Sequence, residues 1–252
     1  MSSALPLRGV VLAGGTGSRL LPLTEVSNKH LLPVGKEPMI FHPIRKLAEA
    51  GVVDVLVVTG AEHAGQVVAA LGSGQELGCT ITYRVQEEAG GIAQALGLAE
   101  DFAANGKVIV LLGDNVFQDP LRRHALAFLE QRSGARILLK EVEEPSRFGV
   151  PVFEEGRLVC IQEKPEAPQD RRCVTGIYFY DASVYDVIRG LRPSARGELE
   201  ITEVNNHFIQ RGDLTWDELE GWWTDAGTFE SLARANALVQ SSVADPAEPK
   251  SR

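Results

Sequence analysis

Three cysteines in 252 residues, Cys79, Cys160 and Cys173, are odd in number and widely spaced. That argues against a disulfide framework and against a zinc knuckle, and suits buried thiols in a reducing compartment. No apolar segment reaches the roughly 20 residues of a membrane helix, and the start MSSALPLRGVVLAGG lacks the basic-then-apolar order of a secretory leader. The expected location is the cytoplasm, with no membrane partner. Positive charge is also short. A formal net charge of -9 sets a nucleic acid or an anionic membrane against repulsion over most of the surface, and leaves small anions in a local basic pocket. The five histidines, His30, His42, His63, His124 and His207, show no metal-ligand spacing, and no serine stands in a nucleophile elbow. Covalent catalysis therefore has little support. Internal repeats and low-complexity linkers are missing too. What remains is a 44% hydrophobic chain, long enough for one large α/β domain or two small ones and apolar enough for a substantial core.

The chain is organised around Val10 to Leu20, VVLAGGTGSRL. Val10, Val11 and Leu12 read as the end of a buried strand that runs without a spacer into Gly14, Gly15, Thr16, Gly17, Ser18 and Arg19. Glycine lets the backbone bend tightly and bring its N–H groups against an anion, and Arg19 adds charge without filling the turn. The alternative is a plain strand-to-helix turn. From Gly15 the pattern lacks the last glycine of a dinucleotide fingerprint, and no lysine followed by serine or threonine closes a P-loop. The stretch Gly60 to Gln66 has P-loop glycine spacing with Gln66 where lysine is required, so it reads as a strand-to-helix connection.

Beyond the loop, apolar runs alternate with helix-period segments. Lys29 lies in a connection that Pro33 keeps from being helical. The Ile40, Ile44 and Leu47 face predicts a helix ended by Gly51, before a strand at Val55 to Val58. Thr80 to Val85 alternates as a strand, and Gly90-Gly91 leads into a predicted helix from Ile92 to about Phe102. KVIVLL, Lys107 to Leu112, reads as a parallel strand buried on both faces, ending at Gly113-Asp114-Asn115. In open α/β sheets ligands sit beyond the C-terminal strand ends, which puts Asp114 beside the Gly14 loop. The second half offers strands at Ile137 to Leu139, Val150 to Phe153, Leu158 to Ile161 and Val174 to Phe179, which suggests an antiparallel extension of the first sheet. Helices are predicted at Ala182 to Leu191, Glu200 to Arg211 and Thr228 to Gln240. The small, charged tail Ala244 to Arg252 is expected to be disordered.

Asp114 and Asp225 interrupt hydrophobic or aromatic contexts, LLGDN and GWWTDAGT, and a carboxylate there needs a reason because its desolvation is expensive. A hard divalent cation is one. Magnesium takes one or two carboxylates with substrate phosphates and water. A helix cap is another, and Asp225 before Gly227 and Thr228 is a fair N-cap candidate. Glu163-Lys164-Pro165 and Arg196 to Glu200 read either as site groups or as solvated charge runs. The inventory suits transfer between phosphates, where the work is positioning anions and neutralising charge.

Eight ordered blocks carry a resemblance. They are Gly14 to Leu20, Asn28 to Val34, Gly90 to Ala95, Leu112 to Asn115, Arg147 to Val150, Glu163 to Pro165, Ser194 to Thr202 and Trp223 to Thr228. Together they span roughly residues 8 to 240 and resemble the sugar-nucleotide pyrophosphorylases, most closely the glucose-1-phosphate thymidylyltransferases. The resemblance implies an α/β, Rossmann-like three-layer fold with a mixed, mostly parallel sheet and an antiparallel extension, as a single domain over 1–252. Within it, 8–115 would form a nucleotide lobe and 116–240 a sugar-phosphate lobe. The implied reaction is the first step of dTDP-deoxysugar formation, joining dTTP to glucose 1-phosphate to give dTDP-glucose and pyrophosphate. By position, Arg19 and Lys29 would neutralise the triphosphate, with contacts from Leu12, Gly14, Gly15, Thr16 and Gly17. Gln86 and Gly91 would read the base, and Asp114 and Asp225 would hold Mg2+. Asn115, Gly149, Glu163, Lys164 and Val174 match the sugar-phosphate pocket, and Arg196 a position near the phosphates. A homo-oligomer, dimer or tetramer, is implied as well.

The sequence departs from the family pattern at Phe148, where many members carry tyrosine. The chain also ends soon after the predicted helix near Gln240, whereas longer relatives continue with further helices. Two alternatives stay open. A sibling enzyme would use UTP or another sugar 1-phosphate, because base choice turns on one methyl group. A silent sugar-nucleotide sensor is the other, and the charged set Arg19, Lys29, Asp114, Lys164 and Asp225 counts against it.

Overall fold

The apolar run Val10 to Ala13 sets the architecture. In the computed structural model, which describes residues 6–244, strand β1 (Arg8–Ala13) is enclosed on both faces, as a near-continuous apolar strand in a parallel sheet requires. The chain continues through β2 (Pro33–Val34), β3 (Glu37–Pro38), α1 (Phe41–Ala50), β4 (Asp54–Gly60), α2 (Ala64–Leu71), β5 (Thr80–Gln86), α3 (Ile92–Gly97) and α4 (Glu100–Ala103). Next come β6 (Val108–Leu112), β7 (Asn115–Phe117), α5 (Arg122–Glu130), β8 (Ala135–Glu141), β9 (Gly149–Glu154), β10 (Arg157–Glu163) and β11 (Arg172–Tyr180). The last elements are α6 (Ser183–Gly190), α7 (Ile201–Gln210), β12 (Leu214–Glu218), β13 (Trp223–Asp225) and α8 (Phe229–Ala244). Beyond Ala244, the tail expected to be disordered lies outside the described residues.

Strands from both halves of the chain form one seven-stranded sheet in the order β12-β8-β11-β6-β1-β4-β5. Parallel pairing joins β1 to β4 and β6, β4 to β5, and β8 to β12, and only β11 runs against its neighbours. Successive residues of β1 alternate between two cores. Val11 and Ala13 pack with Ile44 and Leu47 of α1 and Phe128 of α5, while Val10 and Leu12 pack with Leu96 of α3, Ile188 of α6 and Phe208 of α7. The result is a three-layer α/β fold with a mixed, mostly parallel sheet. A smaller cluster of Val34, Met39, Val116, Ala226 and Ala235 lies outside the two main cores.

Two expectations are refined. The antiparallel extension reduces to one reversed strand, because β9 and β10 pair only with each other as a separate hairpin. The helix predicted from Ile92 to Phe102 breaks after Gly97, where the missing side chain lets Ile188 of α6 approach to 3.4 Å of the Cβ position. Glycine is also a weak helix former. Gly51 ends α1 at φ 94° with its N–H donated to Ala48 and Leu47, as predicted. The Gly60 to Gln66 segment joins β4 to α2, and Gln66 spends its amide on Val26 and Asn28.

The strand order places a topological switch between β1 and β6. The chain leaves β1 toward β4 on one side, while β6 lies on the other. Crevices at such points, beyond the C-terminal strand ends, are where ligands bind in open α/β sheets. Here they receive the Gly14 loop from β1 and Asp114 from β6.

Candidate active site

The glycine loop earns its composition residue by residue. The Cβ position of Gly14 lies 2.5 Å from Gln86 Oε1, so a side chain there would expel Gln86. Gly15 and Gly17 take φ of 94° and 63°, the left-handed region glycine enters freely. Gly17 then packs against Thr24, whose hydroxyl donates to the Gly17 carbonyl at 2.9 Å. Arg19 follows on the short 3-10 turn Ser18–Leu20, anchored by buried Leu20. A second 3-10 turn, Lys29–Leu31, is capped by Asn28, which accepts the His30 N–H at 2.9 Å. This cap aims Lys29, and its Nζ lies 2.6 Å from Asp114 Oδ2.

Two three-residue strands bring the acidic pair together. β7 and β13 pair antiparallel with Asn115 opposite Asp225, so the carboxylates of Asp114 and Asp225 share one neighbourhood. Asp225 Oδ2 and Asp114 Oδ2 stand 3.2 and 3.5 Å from the point a Gly227 side chain would occupy, with an Arg19 guanidinium nitrogen at 3.5 Å. Glycine leaves that cradle open. Asp225 does not cap the last helix. Thr228 and Ser231 do so reciprocally, each side-chain oxygen accepting the other's backbone N–H at 3.0 and 3.2 Å. This frees Asp225, whose carboxylate accepts from Arg147 at 3.2 Å.

The two acids differ electrically. Burial raises the Asp225 carboxyl above the usual range, and the Asp114 charge raises it further, against Arg147, Arg19 and Lys29. Burial acts in the same sense on Asp114, but Lys29, His30 and hydrogen bonds from Lys29 and Asn115 overcome it and hold that group well below the usual range. Behind them His30 is enclosed. Burial and the neighbouring Lys29 charge lower its pKa to about 3, Asp114 opposing, so its ring is neutral. The ring nitrogen Nδ1 lies 2.7 Å from Asn28 Oδ1, which makes Nδ1 the protonated atom.

Asn115 has a fixed orientation. Its Oδ1 accepts from Trp223 Nε1 at 2.7 Å and from the Gly176 N–H at 2.9 Å, so Nδ2 faces Asp114 Oδ1 at 3.1 Å. The β9–β10 hairpin sets Gly149 opposite Glu163. Glu163 accepts from Thr202 Oγ1 at 2.5 Å and from Arg196 at 3.2 Å, with Lys164 Nζ 3.5 Å away. Lys164 holds φ at 43°, uncommon for a residue with a side chain, and its N–H donates to Phe148.

These groups line two adjoining cavities. The larger, about 520 Å3, takes Leu12, Gly14, Gly15, Lys29, Gln86 and Gly91 into its wall. The smaller, about 170 Å3, takes Asn115, Gly149, Glu163, Val174, Arg147 and Asp225. Arg19, Asp114, Lys164, Arg196 and Glu198 belong to both, together with Ile92 and Leu112. Of the residues singled out in the sequence, Thr16 and Gly17 line neither chamber, and Gly17 serves the turn. Arg147, Thr202 and Trp223 were not singled out, although each lies in or beside a quoted block. A separate surface pit of about 450 Å3 is walled by Arg172, which is paired with Asp170 and Glu218. Its charges satisfy one another.

The acidic pair fits a hard divalent cation. Both oxygens face an open point, and both donors are carboxylates, the chemistry such ions take. Among the described residues no group of three or more His, Cys, Asp or Glu could hold a metal alone, so substrate oxygens and water would complete the coordination. No described helix is long and apolar enough to cross a membrane.

Comparison with known proteins identifies the family. A family profile described as nucleotidyl transferase matches residues 8–242. The glucose-1-phosphate thymidylyltransferase of Mycolicibacterium smegmatis is 41% identical over 238 residues, covering 93% of this chain and 83% of the relative. That of Neisseria meningitidis is 41% identical over 239 residues with the same coverage. A crystal structure from Bacillus anthracis, assigned as a glucose-1-phosphate thymidylyltransferase and solved with a sucrose, is 55% identical with TM-score 0.90 and covers 93% of this chain and 95% of its own. A UDP-glucose pyrophosphorylase complexed with UDP-glucose has TM-score 0.83 at 23% identity over 94% of this chain and 100% of its own, a likeness of fold.

Proposed function

The chain belongs to the nucleotidyl transferase family, and on that premise we propose that it transfers the thymidylyl group from dTTP to glucose 1-phosphate, releasing pyrophosphate and dTDP-glucose. The observation that carries the proposal is the shared wall. Two chambers meet at a wall that includes Arg19, Lys164 and Arg196 beside the carboxylates of Asp114 and Glu198, which is where two anionic substrates would have to be brought into contact.

The nucleotide would take the larger chamber, its phosphates against Arg19, Lys29 and the Gly14-Gly15 backbone and its base against Gln86 and Gly91. The sugar phosphate would take the smaller one, with Lys164 on phosphate, Glu163 on sugar hydroxyls, and Asn115, Gly149 and Val174 shaping the pocket. A phosphate oxygen of glucose 1-phosphate attacks the α-phosphorus of dTTP in line. The new P–O bond forms as the α–β bridge breaks, and pyrophosphate leaves with the bonding electrons. No enzyme nucleophile takes part. Arg19, Lys29 and Lys164 hold two mutually repelling anions together and stabilise the charge that grows on the transferring group. Asp114 and Asp225 would hold Mg2+, which when bound neutralises phosphate charge.

The larger chamber also admits a second base reading. A carbonyl oxygen at Gln86 meets uracil as well as thymine, and the methyl group that separates them is worth about 1–3 kcal/mol in a pocket. The test is pyrophosphate release by purified protein with glucose 1-phosphate and magnesium, dTTP and UTP assayed separately. Release with dTTP well above UTP is the expected result, and release with neither would defeat the proposal. We further propose that the enzyme acts in the cytoplasm, in keeping with its three unpaired thiols, and as a homo-oligomer, which light scattering tests.

A further inference from the structure

We propose that Gln94, which lines neither chamber, sets base specificity by locking the side-chain amide of Gln86. The inference rests on the reading of Gln86 as the base contact.

The argument starts from backbone groups, whose hydrogen-bonding sense is fixed. The Gly90 N–H can only donate, and its partner at 3.1 Å is therefore the oxygen of the Gln94 amide, Oε1. That same oxygen faces the Gln86 amide at 2.7 Å, so the Gln86 atom there is the nitrogen. The Gly91 carbonyl, which can only accept, lies 3.3 Å from the same Gln86 nitrogen. Two independent backbone anchors give one answer for an amide whose O and N are otherwise interchangeable. Gln86 Oε1 is left pointing the other way, into the space beside Gly14.

The two neighbouring glycines make this lock possible. A Gly90 side chain would begin 2.4 Å from the Gln94 amide, so only glycine lets Gln94 fold back on its own helix start. A Gly91 side chain would begin 2.6 Å from the Leu199 carbonyl. The Gly-Gly pair is thus the seat of the lock.

Chemically, a fixed carbonyl oxygen selects bases that offer N–H. Thymine presents an N3–H donor. Cytosine presents a bare N3 acceptor, and two acceptors facing each other leave both unpaired. If Gln86 could turn its amide over, its nitrogen would meet cytosine N3 and the discrimination would fade. The shorter bond to Gln94, backed by the longer one to the Gly91 carbonyl, denies it that rotation, which makes Gln94 a positioning residue.

The test uses the full chain and the variants Gln94→Met and Gln94→Glu, with equilibrium binding of dTTP and dCTP measured by calorimetry and pyrophosphate release measured alongside. Methionine keeps the bulk and removes the acceptor. The dTTP:dCTP affinity ratio is expected to fall about ten- to a hundred-fold in Gln94→Met, with dCTP binding gained. Glutamate still accepts both N–H groups, so Gln94→Glu is expected to keep the wild-type preference. Loosening of the fold alone would weaken both nucleotides alike and leave the ratio unchanged, and that result overturns the proposal. So does a Gln94→Glu variant as relaxed as Gln94→Met. A wild-type protein that binds dTTP no better than dCTP and releases no pyrophosphate overturns the base-contact reading itself.

Discussion

His30 makes the fold acid-sensitive by an amount that the structure sets. The folded pKa is about 3 against an ordinary value of 6.5, so between those values the unfolded chain carries a proton that the folded chain refuses. Stability therefore rises with pH through this window and is lost as pH falls below 6.5. Going from pH 7 to pH 5 removes about 2 kcal/mol through this one residue, a large share of the stability of an ordinary domain. The perturbation is His30→Gln. Glutamine keeps a donor for Asn28 and does not titrate, while His124, whose pKa burial also lowers against its Asp217 partner, remains in both proteins and cancels. Urea unfolding followed by tryptophan fluorescence at pH 7 and pH 5 gives the assay. The variant is expected to be the less stable protein at pH 7, with the gap narrowing by about 2 kcal/mol at pH 5. An equal gap at both pH values would refute the assignment of a buried, neutral imidazole.

Three further outcomes follow from the site. Lys164→Ala should fold as the parent does, since the side chain is 46% exposed, yet lose about a hundred- to a thousand-fold in kcat/KM through a missing transition-state contact; retention of most activity removes its role. Asp225→Asn should weaken Mn2+ binding measured by electron paramagnetic resonance, and chelation of the wild type should abolish turnover. Undiminished metal affinity in the variant would take Asp225 out of the metal site. Gly14→Ala places a methyl group 2.5 Å from Gln86 Oε1, so KM for dTTP should rise about tenfold or more by loss of a base contact, with kcat changed less; an unchanged KM would contradict the position given to the base.

The sequence carried the central strands because burial on both faces writes itself as an uninterrupted apolar run, as in Val108 to Leu112. It carried the glycine loop because the left-handed backbone at Gly15 and Gly17 favours glycine. Shorter features were hidden. β7 and β13 are three residues each, too short for any periodicity, yet their pairing is what joins the two carboxylates. For Asp225 the local sequence favoured a helix cap, and only the family resemblance pointed to a metal ligand; the Thr228–Ser231 cap decides against the first. Arg147 reaches Asp225 across 78 positions, and nothing local marks an arginine as destined for such a pairing. The left-handed Lys164 was invisible for the opposite reason, because lysine is not a residue that advertises such a backbone. Gln94 stood in plain view within its block, but the sense of an amide can be read only once its backbone partners are in place.

The most direct measurement is exchange of labelled pyrophosphate into dTTP, run with and without glucose 1-phosphate in the presence of magnesium. Direct joining of the two substrates predicts that no label enters dTTP in a mixture of enzyme, dTTP and pyrophosphate alone, and that it enters readily once glucose 1-phosphate is added and dTDP-glucose can form and revert. Exchange without the sugar phosphate would demand a thymidylylated enzyme and contradict single displacement, and no exchange under either condition would contradict thymidylyl transfer itself.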